Sequence, residues 1–96
     1  MSTRVRTVAQ SMVEIRTHFV DFADDLPAGI TLSSATATHY PPSGSAATPT
    51  VSVAAAPIVQ VKIGPLAVTG MHLVSVLATL SDAEKSEVLM EIPVNW

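Results

Sequence analysis

The chain has 96 residues and a formal net charge of −3, with 48% apolar residues, 14% charged residues and no cysteine. A chain this short forms one domain and buries only about 60% of the surface its unfolded form exposes, so with few charges an isolated copy leaves much apolar surface in water, for which contact with neighbouring subunits is the natural remedy. The missing cysteines exclude a disulfide frame, a thiolate zinc site and a cysteine nucleophile.

The basic side chains are Arg4, Arg6, Arg16, Lys62 and Lys85. They are too few and too scattered to track a phosphate backbone, so no nucleic acid is expected as partner. The first residues lack the apolar core of a secretory signal. The uncharged run 63–81 is about as long as a membrane span. It is interrupted by Gly64, Pro65, Gly70 and His72 and is β-branched rather than leucine-rich, which predicts a loop and a buried strand, and no membrane.

In chain order, residues 1–10 show no sustained period and are expected as an extended N-terminal arm, either a frayed end or a segment that orders on an adjacent subunit; 11–96 is the domain. From Met12 to Phe22 two periods compete. Met12, Ile15, Phe19 and Phe22 fit a helix with Ser11 and Glu14 as a capping box, while Val13, Ile15, Thr17 and Phe19 alternate as a strand. The β-branched content favours the strand.

Pro27 and Gly29 mark a turn, after which Ile30, Leu32 and Ser34 begin a strand. Residues 40–49 hold three prolines, a glycine and small residues, a surface loop. Runs 51–54 and 58–63 read as short strands joined at an edge or corner around Pro57, and Gly64-Pro65 stops the second. From His72 onward, Val74, Val76, Ala78 and Leu80 share one face, and Leu73, Ser75, Leu77 and Thr79 the other. Such a strand is central, or one face meets another subunit. After a polar turn at 81–85, Val88, Met90, Ile92, Val94 and Trp96 alternate with Glu87, Leu89, Glu91, Pro93 and Asn95, a last strand with Pro93 expected at a sheet edge. Six or seven short strands in this length predict an all-β antiparallel sandwich.

The order of these pieces resembles the small immunoglobulin-like proteins of tailed-phage virions. Val20-Asp21-Phe22 leads through Leu26-Pro27-Ala28-Gly29 into Ile30-Thr31-Leu32-Ser33-Ser34-Ala35-Thr36; then come the corner Thr69-Gly70, the strand from Met71, the turn and the closing strand. The match spans most of 19–94. One departure is the corner tyrosine common in immunoglobulin-like domains, which is absent, with His72 or Leu73 in its place. The resemblance implies an immunoglobulin-like β-sandwich and a virion structural protein of head, neck or tail, assembled in the host cytoplasm.

Candidate chemistry is thin. His18, His39 and His72 have no metal-ligand spacing within one element. Asp21, Asp24 and Asp25 lack the glycine and distal glutamate of a calcium loop, and no serine sits in a nucleophile elbow. No catalytic, metal or cofactor residue is assigned, and the chain is not expected to be an enzyme. Tyr40-Pro41-Pro42 reads as an exposed connection or a polyproline-type ligand. Trp96 is either core or an anchor in a neighbour. Expected subunit contacts are Arg4 and Arg6 in the arm, Val74 and Val76 on the central strand, and Trp96. They would join copies in a homo-oligomer and bind other virion proteins, major capsid or neck and tail subunits. A tail or fibre module binding a host-surface glycan or protein is the alternative, weakened by having one tryptophan and one tyrosine to stack on sugar.

Overall fold

The computed structural model describes residues 3–96, apart from the side chains at 3, 4, 54 and 55. Seven strands follow in order: β1 (Thr3–Thr7), β2 (Arg16–Asp21), β3 (Leu32–Tyr40), β4 (Thr50–Ala55), β5 (Ile58–Ile63), β6 (Gly70–Leu80) and β7 (Lys85–Val94), with a 3-10 turn at Ala23–Asp25 and no α-helix among the described residues. The all-β expectation holds. One sheet has the order β1-β7-β6-β3 and the other β2-β5-β4.

The core lies between the sheets, where period-two alternation delivers one face of each strand. In β7 it contributes Val88, Met90, Ile92 and Val94, and in β6 Val74, Val76, Ala78 and Leu80; Val20, Phe22, Val59, Val61 and Ile63 answer from the other side. Val74 and Val76 are fully buried here, which corrects their expected place among subunit contacts. β6 is central, flanked by β3 and β7.

The competition in 12–22 has a physical resolution. The Ser11 N–H donates to Glu14 Oε1 at 2.8 Å and the Glu14 N–H to the Ser11 carbonyl at 3.3 Å, so half of a capping box closes around one turn. No helix follows, because from Arg16 the backbone pairs with β5, Arg16 opposite Ile63 and Asp21 opposite Ile58. The turn at 27–30 is as expected: the Ile30 N–H reaches the Pro27 carbonyl at 3.0 Å, with Gly29 at φ 82°. β3 starts later than its alternation suggests. A register shift between Leu32 and Ser34 moves the inward set from Leu32 to Ala35, Ala37 and His39.

Residues 3–7, part of the expected arm, lie along β7 of their own chain as a parallel strand, Thr3 beside Glu87 and Thr7 beside Glu91; Met1 and Ser2 are outside the described residues. β7 is therefore interior over 87–91, and the edge expected near Pro93 begins where β1 ends. Pro93 is tolerated because β1 has ended by then: the 8–15 crossover approaches instead, and its Gln10 N–H needs only the Pro93 carbonyl, at 3.4 Å.

Candidate interaction surface

One end of the molecule gathers the 8–15 crossover, the loops 41–49 and 64–69, and residues 95–96. Large apolar residues left exposed among the described residues are Val5, Val13, Ile15, Phe19, Tyr40, Met71 and Trp96. Five of these seven, all but Val5 and Phe19, belong to this end. Trp96 is 60% exposed and Val13 85%. Trp96 shares the phase of the buried row in β7, but the strand stops at Val94 and carries the indole past the core.

The backbone beneath these side chains is tied down. The Met12 N–H donates to the Trp96 carbonyl at 2.7 Å. Gln10 is fully buried, its Nε2 donating to the Glu14 carbonyl at 2.8 Å and the Ile63 carbonyl at 2.9 Å, with Oε1 3.2 Å from His18 Nε2. A buried amide with its hydrogen bonds made holds two chain segments in one geometry. Gly64 takes φ 125°, and a Cβ there would sit 2.2 Å from the Glu14 carbonyl oxygen, so the crossover needs glycine at this point.

Charge is sparse here. Glu14 and Arg16 form an ion pair at 2.6 Å, and the Ser11 N–H, followed by Arg16, holds the Glu14 carboxyl below its usual range against the cost of desolvation. Burial, then the charges of Arg6 and Arg16, lowers the His18 pKa.

His39 and His72 are brought together by β3 and β6. Both are buried, with His39 Nε2 2.8 Å from His72 Nδ1. His72 Nε2 is 2.7 Å from the Val68 carbonyl, four residues upstream at the entry to β6. Nothing in the local spacing of the three histidines announced this pair; the available signal was that His72 falls in phase with the apolar face Val74, Val76, Ala78 and Leu80.

Of the other expected contact residues, the side chain of Arg4 lies outside the described residues. Arg6 is exposed, and its guanidinium donates to the Phe19 carbonyl, tying β1 to β2 beside a crevice of about 280 Å³. The outer face of the four-stranded sheet adds a second apolar surface. Leu73, Leu77 and Leu89 are half-buried there among Thr36, Thr38, Glu87 and Glu91, and the Ser75 hydroxyl donates to Glu87. Among the described residues there is no cluster of three or more metal-ligating side chains and no helix long and apolar enough to cross a membrane. No protein-family model matches the chain, and the search of curated proteins gives no match.

Proposed function

We propose that this chain is a non-enzymatic structural subunit of a tailed-phage virion, a capsid decoration or neck-region protein, docked through its apolar end. The observation that carries the reading is the placement of five exposed large apolar side chains at one end, Tyr40 and Met71 on paired strands and the others on backbone that Gln10 and the Met12–Trp96 bond hold in place. Apolar groups held rigidly in water make a preorganised contact, since little entropy remains to be lost on docking. Copies of the chain and major capsid or neck and tail subunits are the proposed partners. In a symmetric shell each weak contact is repeated many times, and the particle gains resistance to heat and force by multivalency.

The immunoglobulin-like reading has two supports. With β2, β5 and β4 as strands B, E and D, and β3, β6 and β7 as C, F and G, the two sheets have the order of that architecture; β1 departs from it by lying beside β7. His72 supplies at the start of β6 the bond to upstream backbone that a corner tyrosine supplies elsewhere, with an imidazole N–H in place of a phenol.

Mass spectrometry and cryo-electron microscopy of intact particles from the source test the proposal. Copies spread over the shell make it a decoration protein, and a closed ring of about six or twelve makes it a neck subunit. Absence from particles refutes the virion reading.

A further inference from the structure

The loops 41–49 and 64–69 close over a cavity of about 370 Å³ with His39 and His72 in its wall. The two imidazole planes differ by 7° and the ring centroids are 5.1 Å apart. The 2.8 Å nitrogen–nitrogen distance plus one ring radius on each side accounts for that separation, so the rings meet edge to edge in a line, lone pair to N–H. Two metal-bound imidazoles would instead bend towards a common centre.

The tautomers follow from the ends of the chain of bonds. The Ala47 N–H points at His39 Nδ1, at 2.8 Å, so that nitrogen accepts and the proton of His39 is on Nε2. Nε2–H donates to His72 Nδ1, which leaves the proton of His72 on Nε2, donating to the Val68 carbonyl. Each ring is neutral and both of its nitrogens are used. An added proton has only Nδ1 of either ring to occupy, and both of these already face an N–H. Whichever takes it, two donors are set against each other.

No opposite charge compensates. Among the described residues the cavity wall comprises the two histidines with Pro41 and small residues from one loop, and Pro65, Leu66, Ala67 and Val68 from the other. β7 sets Ile92 beside His72, and the next inward residue on β3 is Ala37. Apart from the pair itself none carries a titratable group, and among the described residues no carboxylate, lysine or arginine lines this cavity.

We propose that the His39–His72 pair is an acid-released latch: one proton taken up by the pair breaks the relay and frees the 41–49 loop, while both sheets stay paired. The loop is the part that yields because the Ala47 N–H is held by His39, whereas both histidines are fixed in strands. Pro42 of this loop lies against Gly70, the residue before the exposed Met71, so release redraws the apolar end. Burial, then the charge of His72, lowers the His39 pKa from its ordinary 6.5. The latch therefore holds above that pH and opens as pH falls below it. It follows from the relay and is independent of what the end docks on.

The test is a titration of the full chain from neutral to pH 5, with imidazole nitrogen and backbone amide resonances followed together by NMR. Both rings are expected as Nε2–H tautomers at neutral pH. On acidification the Ala47 amide loses exchange protection in step with protonation of the pair, by about tenfold per pH unit for one proton after correction for intrinsic exchange, while β6 and β7 stay protected. In His39→Asn, whose amide oxygen can accept from Ala47 without titrating, the acid step disappears; in His18→Gln it remains. An Nδ1–H tautomer in either ring, protonation that leaves the Ala47 amide protected, a step that survives in His39→Asn, or loss of β6 and β7 protection in the same step each overturns the latch.

Discussion

Where β7 finishes, Val13, Ile15, Tyr40, Met71 and Trp96 face solvent while a glutamine and two histidines are buried behind them. Where β7 begins, the turns carry Asp21, Asp24, Asp25, Asp82 and Glu84, five of the eight carboxylates. Three of those groups are bonded within this end: Asp21 accepts from the Ala23 N–H, Asp82 from the Glu84 N–H, and Asp25 from the Ser86 hydroxyl. One end is arranged as a solvated protein terminus usually is; the other inverts the distribution, with polar groups inside and apolar groups outside. An inverted end costs stability in isolation, and under the proposed function it is the face that a partner would cover.

The comparison can be broken or sharpened by substitution. Val76 lies midway between the ends, fully buried, so Val76→Asp sets the upper limit: a charge without partner in the core costs about 4 kcal/mol or more and unfolds most of the chain by circular dichroism. Gly64→Ala comes next, at about 3 kcal/mol in a denaturant titration, because the backbone conformation and the Glu14 carbonyl both oppose a Cβ. Gln10→Leu leaves the Glu14 and Ile63 carbonyls without their donor and lowers stability by about 2 kcal/mol.

Acid acts on the same end. Folding lowers the pKa values of His18 and His39, so the folded chain binds these protons less tightly than the unfolded chain. Their contribution is complete above about pH 6.5 and is lost as pH falls below it, which melting temperatures from pH 7.5 to 5 will show as a decline. Glu14 has the same sign in a lower window, complete above its ordinary 4.5 and lost beneath that. The smallest effect on folding is that of Trp96→Ala, within about 0.5 kcal/mol, although it should abolish binding to particles. A large loss of stability in Trp96→Ala, or unchanged particle binding, would remove the contrast between the ends.

Much of this was readable in the residues. The β5 limits, the turn at Pro27–Gly29 and the alternation of β7 came from period and turn chemistry, which act locally. What a local pattern misses is the partner on the far side. Alternation places Val74 and Val76 on one face of β6 without saying which face meets the core, and Pro93 marks a missing donor without saying that β1 has already ended. The His39–His72 relay and the Gln10 tie join residues 33 and 53 positions apart, and no local pattern encodes such closures.

The parallel pairing of β1 and β7 also has a mechanical meaning. The start of β1 and the end of β7 point to opposite ends of a molecule 44 Å long. A pull applied between those two points slides one strand along the other and loads their hydrogen bonds together, instead of peeling them apart one at a time. The first and last strands thus form a shear clamp.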